Sequence, residues 1–215
     1  GPYGRFDQPD FVPPAADEIA IARAQLAARP VQLQRESRRA LQPGGVQLDL
    51  SAVAKGYSVD RLSYYLKTQG FAHHLVEVGG ELRGSGVKPD GQPWWVMLEQ
   101  VTGAGMDELV LALHGLSVAT SGDYRRYFEL NGQRYSHTID PRSGMPIAND
   151  LASVTVVHAQ CMAADAWSTA LTVLGSRDGL QLAELQGLAA RFVVRQADGS
   201  FIEYLSSHLR SMLDE

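Results

Sequence analysis

From His73 to Gly115 four short stretches, HHLVEV, GELRGSG, PWWVMLEQ and DELVLALHG, follow one another with glycine-bearing turns around them. Each is of strand length, and glycine supplies the positive φ that tight turns need. Strands adjacent in sequence in this way pair as hairpins. Asn131-Gly132, set between aromatic runs, is a further hairpin signal. ARFVVRQ and GSFIEYL predict a closing hairpin, and ASVTVVHA reads as a strand buried on both faces. Helical periodicity is interspersed among these strands. ADEIAIARAQLAAR carries acids in its first turn and arginine in its last. SAVAKGYSVDRLSYYLKTQG places Val53, Tyr57, Leu62 and Leu66 near helical spacing, offers Ser51 as N-cap and stops at Gly70. MAADAWSTALTVLG and SRDGLQLAELQG predict two more helices, and a last one follows the closing hairpin. VQLQRESRRALQPGGVQLDL predicts two short strands around a turn. The fold class expected is α+β, with a mixed or mostly antiparallel sheet and packed helices.

Composition narrows the possible functions. With 215 residues and 45% apolar content, the chain can build a sizeable core. A net charge of −5 and a pI of about 5.7 oppose a phosphate-tracking surface, so nucleic acid is not an expected partner. No apolar run approaches the roughly 20 residues of a membrane helix, and no signal peptide is visible. The single cysteine, Cys161, lies in the small-residue run HAQCMAADAW and is expected to be an inert packing residue. Residues 1–15 read as an irregular arm carrying Tyr3, Phe6 and Phe11, which suggests that sequence is missing in front of it.

Five clusters carry candidate chemistry, each with a plain structural alternative. In DLSAVAKGYSVD, Lys55 lies near a helix start, where a cation is disfavoured unless an anion is close; it also suits a solvated surface. Gly79-Gly80, directly after a strand, permits close approach of a ligand or simply turns a hairpin. Thr120, Ser121 and Gly122 offer hydroxyls and amides at a strand end, as a cradle or as a turn. Asp165 and Thr169, four apart, share one helix face and present hard oxygens suited to Mg²⁺. They equally suit an N-terminal aspartate and a threonine bonded back to its own helix. Small neighbours, Ala163, Ala164, Ala166 and Ala170, let something approach that helix closely. In YSHTIDPRSGMP, His137 can take a proton near neutral pH beside a tight turn at Asp140-Pro141 and Gly144. Arg142 there suits an anion or a surface ion pair.

Taken in order, DLSAVAKGYSVDRL, VEVGGEL, VATSGDYRRYF, YSHTIDPRSGMP and SVTVVHAQCMAADAWSTALTVLG resemble the ApbE family, the FAD:protein FMN transferases, from about Leu48 to Gly175. The resemblance implies one ApbE-type, T-fold-like domain over 1–215, lacking an N-terminal portion that family members carry. It implies Mg²⁺-dependent transfer of FMN from FAD to a threonine or serine hydroxyl of a target protein, with AMP leaving. The metal site carries over to the backbone carbonyl of Ala52 and the side chains of Asp165 and Thr169. FAD contacts carry over to Asp49, Lys55, Gly79, Gly80, Glu81, Thr120, Ser121, Gly122, Asp123, Thr138 and Ile139, and the general base to His137. The partner implied is an acceptor subunit of an electron-transfer complex. The compartment implied is the periplasm, or a membrane anchor facing it. Two other readings stay open: a Mg²⁺-dependent FAD pyrophosphatase giving FMN and AMP, and a non-catalytic FAD-binding protein.

Overall fold

The computed structural model describes residues 11–101, 103–123, 127–130 and 133–213. In chain order the elements are α1 (Ala16–Ala28), β1 (Gln32–Gln34), β2 (Arg39–Leu41), α2 (Ala54–Thr68), β3 (His74–Val78), β4 (Glu81–Ser85), β5 (Trp94–Met97), β6 (Val110–Leu113) and β7 (Ser117–Gly122). There follow β8 (Tyr127–Leu130), β9 (Gln133–Ser136), β10 (Ile139–Asp140), β11 (Met145–Pro146), β12 (Leu151–His158), α3 (Cys161–Leu174), α4 (Ser176–Leu185), β13 (Ala189–Arg195), β14 (Phe201–Leu205) and α5 (Ser207–Leu213). The chain forms two compact units, one of Gly1–Asp49 with Tyr127–Ala148 and one of Leu50–Arg126 with Asn149–Glu215.

The larger unit is built on a six-stranded sheet in the order β14-β13-β12-β7-β4-β3, antiparallel at every pairing. Side chains alternate between its faces. Ala119, Val154, Val156, Ala190 and Phe192 form a core with Ala164 and Leu171 of α3 and Ala183 of α4. Their neighbours Val118, Val157 and Ala189 pack on the other face with Leu111 and Leu113 of β6 and Leu209 of α5. Both faces are covered, so β12 is buried from Leu151 to Val157, Ser153 and Thr155 included. The class is α+β, as expected, and the sheet is wholly antiparallel.

Helix α2 packs on α3. Gly56 permits this: a Cβ there would stand 2.4 Å from the Cys161 carbonyl oxygen and 2.7 Å from the Met162 Cα, both backbone atoms that cannot move aside. The close approach is thus made by Gly56 of α2 at the start of α3, while Ala164 packs against the sheet. The expected N-cap at Ser51 does not hold. Leu50 to Val53 form a turn, with the amides of Val53 and Ala54 bonded to the Leu50 carbonyl, and the cap falls at Val53. Lys55 then occupies the second helical position.

The smaller unit contains α1 and three hairpins, β1–β2, β8–β9 and β10–β11. Phe128 and Tyr135 stack across β8–β9 with ring centroids 5.0 Å apart, and Phe11 meets Phe128 edge-on at 5.1 Å. The expected turn at Asn131-Gly132, like Tyr3 and Phe6 of the expected arm, lies outside the described residues.

Candidate active site

In the larger unit the hairpin of β3 and β4 turns on Gly79 and Gly80, with φ of +61° and +99°. Positive φ at both central residues is the geometry that matches strand twist, and glycine adopts it without strain. The turn delivers Glu81 to a buried position, and Lys55 Nζ reaches Glu81 Oε1 at 2.5 Å. The other oxygen, Glu81 Oε2, is buried and takes no hydrogen bond. Burial pushes the Glu81 carboxyl above its ordinary range; Lys55 pulls it back and the neighbouring charge of Asp165 adds to the rise.

Asp165 is 2% exposed on α3. Its Oδ2 accepts the Gly56 amide at 2.9 Å, which satisfies a donor in the first turn of α2. Burial raises this carboxyl too, against the pull of Gly56 and Lys55. One turn along α3, the Thr169 hydroxyl lies 3.0 Å from Ser121 Oγ, which also meets Ser168 Oγ at 2.8 Å. Thr169 is thus turned towards β7 rather than bonded back to its own helix. Ala52 lies in the turn that leads into α2.

Not every candidate joins this cluster. Residues 120–122 are not a turn but the end of β7, paired with Thr155, Val154 and Ser153 of β12. Alternation then separates the two hydroxyls: Ser121 faces α3, while Thr120 bonds Thr155 Oγ1 at 2.8 Å on the opposite face. On its β4 side, β7 is paired only at Ser117 and Val118, so Ala119 to Gly122 extend past the sheet partner there. Asp123 forms an ion pair with Arg195 at 3.2 Å. Asp49, His137, Thr138 and Ile139 belong to the smaller unit. There His137 follows β9, the Thr138 amide donates to Ser136 Oγ and the Thr138 carbonyl accepts from Ile147. Arg142 is tied to its neighbour: its Nε and Nη2 hold the Asp140 carboxylate at 2.8–3.1 Å, which keeps that acid below its ordinary range.

The sequence reading passed over Asp60. Its Oδ1 accepts the Cys161 amide and its Oδ2 the Met162 amide, both at 3.0 Å, and Arg83 Nη1 approaches Oδ1 at 3.4 Å. Each helix thus caps the start of the other, Asp60 for α3 and Asp165 for α2. A signal was present. Gln160 and Val53 stand where the caps should be, and neither makes a side-chain cap, so acceptors had to come from elsewhere.

The oxygens gathered here fit a small, hard divalent cation. Asp165 Oδ1 makes no hydrogen bond among the described residues, the Glu81 oxygen beside it is buried without a partner, and Thr169 adds a hydroxyl. Among the described residues, no three His, Cys, Asp or Glu side chains gather as a metal site. A site of one carboxylate, a hydroxyl and a carbonyl leaves positions for phosphate oxygens, the usual arrangement for Mg²⁺.

The larger unit thus joins an antiparallel α+β sheet to a buried aspartate and a lysine at a helix start. The chain belongs to the ApbE family, whose model matches residues 3–192. It is 38% identical over 215 residues to an FAD:protein FMN transferase of Vibrio cholerae, a match taking in 99% of this chain and 63% of that protein. It is 40% identical over 171 residues to one of Haemophilus influenzae, taking in 79% of this chain and 49% of that protein. Among solved structures, the apo flavinyl transferase ApbE of Pseudomonas stutzeri superposes with a TM-score of 0.81 at 41% identity, over 94% of this chain and 62% of that one. This chain therefore spans at most about three fifths of the length of these relatives.

Proposed function

We propose that this chain transfers FMN from FAD to a threonine or serine hydroxyl of a target protein. The acceptor oxygen attacks the FMN phosphorus, the P–O bond to the bridging oxygen breaks, and that oxygen leaves with AMP. The hydroxyl proton passes to His137, which the resemblance assigns as base. Mg²⁺, held by Asp165, Thr169 and the carbonyl of Ala52, would neutralise the diphosphate and polarise its phosphorus. Lys55 sits at the second position of α2, where the helix dipole favours an anion. Its present partner, Glu81, keeps the ammonium in place until phosphate shares it. Gly80 leaves open space, since a Cβ there would meet nothing within 4 Å, which supports close passage of a ligand.

The observation that carries this reading is the Asp165 carboxylate, 2% exposed and with one oxygen free of hydrogen bonds among the described residues, in the same unit as the Lys55–Glu81 pair at a helix start. Buried charge of this kind is costly without a cation. The hydrolytic alternative uses the same residues with water in place of the hydroxyl, and a carrier would bind FAD without cleaving it. Incubation with FAD, Mg²⁺ and an acceptor bearing a short Gly-, Ser/Thr- and Ala-containing segment separates the three by mass spectrometry. Addition of FMN to the acceptor supports transfer, free FMN and AMP alone support hydrolysis, and intact FAD supports a carrier. By the same resemblance we assign the activity to the periplasmic side and the acceptor to an electron-transfer complex. No described helix is long and apolar enough to cross a membrane.

A further inference from the structure

We propose that Asp60 is a positioning residue for the cation site, an inference that rests on the reading of Asp165 as a cation ligand. The two helices are latched at two points. Asp165 of α3 holds Gly56 of α2, and Asp60 of α2 holds Cys161 and Met162 of α3. The latch residues are four apart on each helix, one turn, so together they fix both slide and rotation of α3 against α2. With a single latch α3 could pivot about it.

The two latches are unequal in chemistry. Asp165 has one oxygen spent on Gly56 and one open. Asp60 uses both oxygens on amides and also receives Arg83, whose Nη1 reaches Ser117 Oγ at 2.9 Å and the Ala159 carbonyl. Asp60 is thereby joined to β4, to β7 and to the turn that launches α3. It sets where α3 begins. Asp165 lies one turn on and Thr169 two turns on, so a tilt at the start of α3 displaces both oxygens from a common point. Side chains behind the ligands commonly govern metal affinity in this way.

The test uses Mn²⁺ as the probe, titrated without FAD into the whole chain and read by electron paramagnetic resonance of the free ion. Stability of each variant is measured in urea. Asp60→Asn keeps the shape and removes the charge; we expect Mn²⁺ affinity to fall about 10- to 100-fold. Ser206→Ala removes a buried hydroxyl that bonds Ala190, Leu188 and Leu209 away from the site, and so controls for lost stability. It should leave Mn²⁺ affinity unchanged. Should Asp60→Asn not fold, Asp60→Glu keeps the charge at the wrong reach and should show a smaller loss in the same direction. An affinity within about twofold of the parent for the folded Asp60 variant, or an equal loss in Ser206→Ala, overturns the positioning role while leaving the cation site standing. If Asp165→Ala binds Mn²⁺ as the parent does, the cation site itself is wrong and the role of Asp60 falls with it.

Discussion

The amide of Cys161 donates to Asp60, and its thiol lies 3.6 Å from the Leu82 carbonyl, sealed between α2 and β4. The side chain is fully buried and burial pushes its thiol up to about 12. Thiolate is the reactive form, so a thiol reagent should label Cys161 only as fast as the protein unfolds. Labelling of the native protein within seconds at pH 8 would refute this. The linkage has a definite sign. The unfolded thiol ionises near 9 and the folded one does not, so the unfolded state loses the proton first. Stability therefore falls as pH rises above about 9, by up to about 1.4 kcal/mol per pH unit from this group. Urea titrations of Cys161→Ala should show a shallower decline there. Glu81 obeys the same rule in a lower window. Its folded carboxyl is raised above 4.5, so it weakens the metal-free fold as pH rises from 4.5 through its folded value. Glu81→Gln should flatten part of that slope, leaving the share due to Asp165.

Gly56 shows what a helix-scale contact asks of one position. Replacing it by alanine would normally favour a helix by about 1 kcal/mol. Here the added carbon meets backbone at 2.4 Å, so α2 must lift from α3. We expect Gly56→Ala to cost about 1–3 kcal/mol net, the usual range for overpacking, and to break the Gly56–Asp165 bond. A urea midpoint at or above that of the parent would count against this contact. The helices themselves were legible from periodicity, and β12 from its run of β-branched and small residues. The caps were not. Ser51 looked like a cap by residue type, but local preference is overridden once Asp165 and Asp60 reach across from the neighbouring helix. By residue type, Thr120 and Ser121 suit a cradle at a strand end or a turn equally well. Pairing with β12, some thirty residues away in sequence, makes them strand and sends them to opposite faces.

At the scale of the molecule, the order of motifs indicates the family, while the sheet order β14-β13-β12-β7-β4-β3 cannot be read from local pattern, since β7 joins strands far apart in the chain. The same scale separates the proposed roles. Asp165, Thr169, Lys55 and Glu81 belong to the larger unit and His137 to the smaller. If the proposed chemistry holds, binding and proton transfer should be separable by mutation. His137→Ala should keep Mn²⁺ affinity near that of the parent, because the oxygens proposed to hold the cation all lie in the larger unit. Its rate of FMN transfer to an acceptor should fall about 10²–10⁴-fold, the usual range for a general base. Asp165→Ala should instead lose the cation and, with it, every product formed from FAD. The informative measurement is the AMP released in the absence of acceptor. A hydrolase using His137 would lose that signal in His137→Ala. A transferase releases little AMP without a hydroxyl to receive FMN, so the same substitution changes the modified acceptor and leaves the acceptor-free background where it was.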